Sequence, residues 1–308
     1  MSFAYAVQQA APAVVNIYSV EIQINNYGKQ RKINDLGSGV IMSTNGHILT
    51  NYHVVDNAEL IRVVLQDGRE YDAEVLGLDR VTDLALLKIN ATNLPAIPQE
   101  PELEAKVGDI VLAIGNPLNL GQTITQGIIS ATGKKGLGNN SSFSDFIQMD
   151  AAINLGSSGG ALVNSRGKLV GINTAKIQGG IQGIFFAIPY QLAKKVSRKL
   201  LEDGEVKRGY LGLNGRPINQ AGVPVRSTVE SIAGIEITNV DPLGPAWEGG
   251  LVVGDILLAV NGNQLASFQQ LLSTIEVIEP GTTIEFSISR DGKLEKKKIK
   301  VGRLGVDN

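Results

Sequence analysis

The chain has 308 residues, 36 of them glycine, with 28 basic and 30 acidic side chains and a formal net charge of -2. That length suits about two domains, and the glycine content suits many tight turns. The near balance of charge, with no basic block, argues against a nucleic-acid partner, and zero cysteines exclude disulfides, thiol catalysis and thiolate metal sites.

No run of about eighteen apolar residues is present to span a bilayer as a helix. The start Met1–Val7 lacks a basic region followed by an apolar one, so a mature or truncated form is expected. Asn45-Gly46 marks a turn holding His47, and the apolar strand Ile48-Leu49-Thr50-Asn51-Tyr52 runs from it into a polar turn at His53. Ile61–Leu65, the turn Asp67-Gly68 and Glu70–Leu76 read as a hairpin, and a second hairpin turns at Ser165-Arg166-Gly167. Asp83 opens Asp83-Leu84-Ala85-Leu86-Leu87, a buried-looking strand whose first residue is its only charged one. Such recurrent short strands predict paired antiparallel barrels, a mainly β fold.

The period changes at residues 189 to 203, where Leu192, Val196 and Leu200 recur every four residues with Lys and Arg outside and Gly204 as a stop. One amphipathic helix is expected to close the first domain, residues 1–205, and a second domain to occupy 206–308. There Arg208-Gly209-Tyr210-Leu211-Gly212-Leu213 opens the unit, and Gly254–Gly262 reads as a strand ending in a turn. Phe268, Leu271, Leu272 and Ile275 stand at helical spacing; they suit a groove lining, although core positions are the better reading for at least two of them. Lys296, Lys297 and Lys298 lie opposite Arg290-Asp291-Gly292-Lys293, as on a solvated hairpin edge.

The chemistry concentrates at Gly156-Ser157-Ser158-Gly159-Gly160, after Asp150-Ala151-Ala152-Ile153-Asn154. A Ser-Gly turn alone is most often a surface loop, but small residues also let the amides of Gly156 and Ser158 converge where a carbonyl oxygen becomes negative in acyl transfer. A serine nucleophile needs a base, and the chain has only two histidines, His47 and His53. His47 reads as a turn residue, which leaves His53. Asp83 is the candidate carboxylate to hold the imidazole, and the chain order His53, Asp83, Ser158 is that of chymotrypsin-like enzymes.

The segments TNYHVV at 50 to 55, DLALLKI at 83 to 89 and DAAINLGSSGGALVN at 150 to 164 resemble the HtrA family of trypsin-fold serine proteases, as do LGSGVIM at 36 to 42, LAIGNPLNLGQTITQGIISATG at 112 to 133 and FAIP at 186 to 189. The resemblance covers nearly the whole chain and implies two six-stranded β-barrels followed by a C-terminal PDZ domain. Only one PDZ-like unit fits after residue 205. In such a domain the amides at Leu211 and Gly212, between Tyr210 and Leu213, receive a peptide's C-terminal carboxylate while the next strand pairs with the peptide.

The resemblance further implies a periplasmic endopeptidase of the envelope stress response with no metal or cofactor. The implied PDZ ligand is the C-terminus of an unfolded outer-membrane protein, and the implied substrate is an anti-sigma factor in the membrane. It implies an N-terminal membrane anchor outside this chain and a homotrimer with Phe3, Tyr5 and Val7 at the contact. Leu155, Ile184 and Phe186 suggest an aliphatic substrate pocket.

Three departures from the family pattern stand out. Ser157 replaces the usual Asn, which leaves the nucleophile open between two hydroxyls; Ser158 is favoured because Gly156 lies two residues before it and Gly159-Gly160 behind it. Phe185 stands where relatives have Gly, on the strand expected to receive substrate. The loop Ala175 to Gly183 is short where relatives carry a longer sensor loop. A second reading is therefore a peptide-binding scaffold or chaperone whose protease site is silenced by Phe185.

Overall fold

The computed structural model describes residues 2–24, 30–116, 121–134, 146–175, 183–219 and 233–304. It divides into two units, Met1–Val206 and Lys207–Asn308.

In the first unit a short helix α1 (Ala4–Ala10) leads into β1 (Val14–Ile24), β2 (Gln30–Ile41) and β3 (His47–Thr50). A single helical turn, α2 (Tyr52–Val55), precedes β4 (Leu60–Val64), β5 (Glu70–Asp79) and β6 (Leu84–Ile89). The strands close in the order β1-β2-β3-β6-β5-β4, with β1 pairing back onto β4. The apolar run of β6 is buried on both sides, as expected of a strand walled by barrel core on one face and packed structure on the other.

A second closed barrel repeats the plan with β7 (Ile110–Gly115), β8 (Thr123–Lys134), β9 (Phe146–Met149), β10 (Ala161–Asn164), β11 (Leu169–Thr174) and β12 (Phe185–Pro189). Its order is β10-β11-β12-β9-β8-β7, and β10 returns to β7. Closure leaves neither barrel an open edge. The helix α3 (Tyr190–Asp203) follows and buries Tyr190, Ala193, Val196 and Leu200. Gly204, at φ 75°, ends it by donating its N–H to the Leu200 carbonyl, a left-handed cap that costs glycine nothing. The apolar stripe of α3 joins one core cluster with Ile17, Ile48, Leu87 and Ile172, drawn from both barrels. A second cluster, with Val111, Ile129, Met149 and Leu162, fills the other side of the second barrel.

The second unit starts with β13 (Gly209–Tyr210) and β14 (Leu213–Ile218), then β15 (Gly234–Val240), α4 (Pro245–Glu248), β16 (Ile256–Val260) and β17 (Asn263–Gln264). It ends with α5 (Phe268–Glu276), β18 (Thr283–Arg290), β19 (Lys293–Lys300) and β20 (Gly302–Arg303). The main sheet runs β14-β15-β16-β18-β19, so β14, which carries Pro217, is one edge and the lysine-rich β19 the other. On β19, Lys296 pairs with Glu285 and Lys297 with Glu295. Phe286, Ile235, Ile237, Leu271 and Ile275 form the core, whereas Phe268 and Leu272 are only partly buried. Immediately before β16, Asp255 is almost fully buried and takes both a 2.7 Å bond from Arg290 Nε and a 3.0 Å bond from the Val252 N–H.

Candidate active site

Asp83 sits immediately before β6 with φ 57°, a left-handed conformation that aspartate tolerates because its short side chain bonds locally. Its carbonyl accepts from the Tyr52 N–H at 3.0 Å and from Asn51 Nδ2 at 3.0 Å. Its carboxylate accepts from the His53 N–H at 3.1 Å and faces His53 Nδ1 at 2.8 and 3.0 Å. These bonds explain why the turn at His53 coils into α2: Asp83 holds it at both its backbone and its side chain. A carboxylate only accepts, so Nδ1 carries the imidazole proton and Nε2 is left as the basic nitrogen.

Thr174, at the end of β11, donates its hydroxyl to Asp83 Oδ2 at 3.2 Å, and the next residue, Ala175, donates its N–H to Ser158 Oγ at 3.0 Å. Two consecutive residues thus tie the carboxylate of the first barrel to the hydroxyl of the second. Because Ser158 Oγ accepts from Ala175, its own proton stays free for a base. Among the described residues His53 Nε2 has no hydrogen-bond partner. Ser158 is 4% exposed and Ser157 6%, but their surroundings differ. Ser157 packs on Gly115 of β7 and lines a small cavity of about 40 Å³ with Asn154, Thr125 and Asn173, away from the Ala175 amide.

The peptide groups of the loop can be accounted for one by one. The Gly156 carbonyl accepts from Ser38 Oγ at 2.7 Å, and the Ser157 N–H donates to the Asn154 carbonyl at 2.9 Å. The Ser157 carbonyl accepts from Gly160, the Ser158 carbonyl from the Ser38 N–H, and the Gly159 N–H donates to Asn173. Among the described residues the N–H groups of Gly156 and Ser158 have no acceptor. Gly156 has φ 92° and Gly159 φ 81°; a Cβ at Gly159 would run into the Ser38 carbonyl and Thr50 Oγ1.

The remaining residues singled out from the sequence are spread around this centre. His47 begins β3, bonded through Nδ1 to Ser43 Oγ at 2.8 Å, and burial, then the Lys88 charge, lowers its pKa. Leu155 is 74% exposed at the loop tip. Ile184 is partly buried against the larger core. Phe185 pairs with Met149 across β9 and packs, with Ala175, on the cluster containing Ala151 and Ile153. The backbone beside Ser158 is therefore the end of β11, and Phe185 lies one strand further out. Phe186 is a correction: alternation along β12 turns it inward, where its ring meets Phe146 edge-on at 6.3 Å, so it is a core residue and not part of a substrate surface. Most of the Ala175 to Gly183 loop lies outside the described residues. Ser38, Thr174 and the Ala175 amide were not singled out from sequence. Nothing in their local pattern distinguishes them; only LGSGV, around Ser38, fell within a family segment.

In the second unit Leu211 and Gly212 connect β13 to β14, and Gly212 has φ 74°. Their carbonyls accept from Ala246 and Asp241, while among the described residues their N–H groups donate to nothing. Tyr210 donates its hydroxyl to Asp241 Oδ2 at 3.1 Å; burial, then this contact, raises its pKa. Leu213 begins the edge strand, with Phe268 of α5 close to Gly215.

Two β-barrels meeting at a His-Asp-Ser cluster, followed by a small sheet with an open edge beside a helix, define a trypsin-like serine endopeptidase joined to a PDZ domain. The trypsin-like peptidase domain family matches residues 37–172 and the PDZ domain family residues 209–301. The chain belongs to the HtrA family of serine proteases, in its DegS-like, single-PDZ branch. Serine endoprotease DegS of Salmonella typhimurium is 48% identical over 298 residues, covering 95% of this chain and 83% of that protein. The periplasmic serine endoprotease DegP of the same species is 44% identical over 272 residues, or 87% of this chain and 57% of that protein. Among solved structures, the serine endoprotease from Yersinia pestis superposes with a TM-score of 0.80 at 45% identity over 99% of both chains. The HtrA-type protease AlgW with a decapeptide gives 0.86 at 39% identity over 100% of both.

Proposed function

We propose that the enzyme is a regulated endopeptidase of the cell-envelope stress response. It works by acyl transfer at Ser158. The observation that carries this reading is the pairing of a hydroxyl whose proton is free with two unengaged amides on one tightly bonded loop, next to a histidine whose Nδ1 is held by Asp83.

Ser158 Oγ attacks the scissile carbonyl carbon while its proton passes to His53 Nε2, and the oxyanion is received by the N–H groups of Gly156 and Ser158. The same proton is returned to the leaving amine as the C–N bond breaks. Water then attacks the acyl ester with His53 again as base, which releases the acid and restores the serine. Asp83 fixes the imidazole tautomer and offsets the charge that His53 gains. No step calls for a metal. Leu155, Ile184 and Phe185 supply the apolar surface near the loop and favour small aliphatic side chains; no acidic residue among them selects a basic one.

The PDZ unit supports peptide sensing, with the Leu211 and Gly212 amides as carboxylate receptors and β14 as the pairing edge. By family likeness the activating ligand is the C-terminus of an unfolded outer-membrane protein. The same likeness makes the substrate an anti-sigma factor, the site of action the periplasmic face of the inner membrane, and the assembly a homotrimer through Phe3, Tyr5 and Val7. DegP relatives carry "periplasmic" in their name, in keeping with that location. The test is cleavage of a small aliphatic reporter and an unfolded protein, with and without peptides ending in an apolar residue. Cleavage that is stimulated by peptide and abolished in Ser158→Ala is expected. Peptide binding without any cleavage overturns the protease reading in favour of a scaffold, and a monomer by light scattering removes the trimer.

A further inference from the structure

Ser38 lies on β2, in the barrel opposite the nucleophile, and its side chain is completely buried. It nevertheless takes part in four hydrogen bonds, three of them to segments of the second barrel and one to Thr50 of its own. Its N–H donates to the Ser158 carbonyl at 2.8 Å, and its carbonyl accepts from Thr50 Oγ1 at 2.7 Å. Its hydroxyl accepts from the Asn116 N–H at 3.0 Å and donates to the Gly156 carbonyl at 2.7 Å. The Asn116 amide settles the direction of the hydroxyl: an N–H cannot accept, so the single hydroxyl proton belongs to Gly156.

We propose that Ser38 is a positioning residue of the oxyanion site, a reading that rests on Ser158 being the nucleophile. Gly156 has φ 92° and no Cβ, so sterics alone do not hold its peptide groups in place. Among the described residues, Ser38 Oγ is the hydrogen-bond partner of the Gly156 carbonyl. One residue therefore grips the loop at both 156 and 158, and neither residue's own N–H is engaged. Each of those carbonyls lies in the peptide plane that follows its residue's own N–H, so holding both fixes the chain on the C-terminal side of the two donors and limits how far either can turn. Removing the hydroxyl takes away the donor that holds the buried Gly156 carbonyl, and the loop relaxes by turning that carbonyl toward another donor. The donors then miss the oxyanion, while the ground-state peptide, held elsewhere, is little affected.

The test uses Ser38→Ala and Ser38→Cys in the full chain, the latter keeping a donor, though a weaker one on a larger atom. For Ser38→Ala, kcat on the aliphatic reporter is expected to fall about 10- to 100-fold. Affinity for a peptide boronic acid, whose tetrahedral adduct occupies the same donors, is expected to fall in step. Peptide affinity measured in a Ser158→Ala background should stay within about twofold. Ser38→Cys is expected to lie between Ser38→Ala and the wild type. A folded Ser38→Ala enzyme with kcat within about threefold of wild type overturns the assignment. So does a loss of peptide affinity that matches the loss of kcat/KM. If Ser38→Ala fails to fold, Ser38→Cys decides by the same criteria. A wild-type enzyme that neither cleaves nor takes the boronate through Ser158 sinks the reading of the nucleophile and Ser38 with it; a reactive wild type with an unaffected variant sinks Ser38 alone.

Discussion

Replacing Asp83 with Asn isolates the contribution of one charge to the site. The backbone at 83 has φ 57°, which Asn adopts as readily as Asp, so the turn that carries the residue persists. The carboxylate now accepts from the His53 N–H at 3.1 Å, from Thr174 Oγ1 at 3.2 Å and from Nδ1 at 2.8 Å on its nearer oxygen. In Asp83→Asn the amide oxygen keeps the backbone bond to His53, which turns the amide NH₂ toward Nδ1. Two donors then face each other, and the imidazole resolves the conflict by moving its proton to Nε2. That is the nitrogen that must accept from Ser158. Wrong-tautomer losses at this kind of site run to about 10⁴ in kcat, or about 5.4 kcal/mol of transition-state stabilisation. Steady-state cleavage of the aliphatic reporter measures it, with a melting curve to show that stability changes by less than about 1 kcal/mol. A folded variant that keeps more than about a tenth of wild-type kcat would refute the role given to Asp83.

Thr174→Val keeps the shape at 174 but removes one donor to the carboxylate, so kcat should fall about tenfold, near 1.5 kcal/mol, with KM steady in the same assay. Gly159→Ala forces a side chain into the Ser38 carbonyl at φ 81°; the combined left-handed and steric cost of about 2–5 kcal/mol should appear as a lower urea midpoint and as lost labelling of Ser158 by a sulfonyl fluoride. His47→Gln, outside the triad, should leave reporter cleavage within about twofold. In the PDZ unit, burial pushes the Asp255 carboxyl up, but the Arg290 bond, the Val252 amide and the surrounding positive charge outweigh it and hold the group below the ordinary carboxylate range. A depressed folded pKa gives stability that is present above the unfolded value of about 3.9 and is lost as pH falls through the folded value. Fluorescence of Trp247, the chain's single tryptophan, should therefore report unfolding of this unit at lower urea as pH drops below about 4. Asp255→Asn should lower the neutral-pH stability by about 2–4 kcal/mol and flatten that pH dependence.

What the sequence made legible was local. The four-residue spacing of Leu192, Val196 and Leu200 with Gly204 behind it located the helix to within a residue, because an amphipathic stripe and a left-handed stop are properties of the segment itself. Phe268, Leu271, Leu272 and Ile275 could be placed on one helix but not sorted, and only packing separates the buried Leu271 and Ile275 from the half-buried pair. The failures share a different cause. Ile184, Phe185 and Phe186 form an apolar run, and composition does not say which face of β12 turns inward; the Phe146 ring, far away in sequence, decides it. The turn at His53 is legible in the polar break after Tyr52, but not that it coils into a helical turn, because the bonds that coil it come from Asp83, thirty residues later. Ser38 was invisible as a site residue for the same reason, since its partners at 116, 156 and 158 meet it only when the two barrels close.

The outer strand of the PDZ sheet sets a limit on how much of a ligand can be read. Proline has no N–H and is accommodated in sheets only where the missing donor faces away from the neighbouring strand. At Pro217 the neighbouring strand is β15, so the gap in the donor row lies along the open edge of β14. On the peptide-sensing reading proposed above, a chain laid along that edge would find no donor at Pro217, and the register shift between Asn214 and Gly215 already interrupts the strand nearer its start. On that reading the backbone share of affinity would then come from the terminal few residues of a ligand, and any preference further upstream would rest on side chains alone.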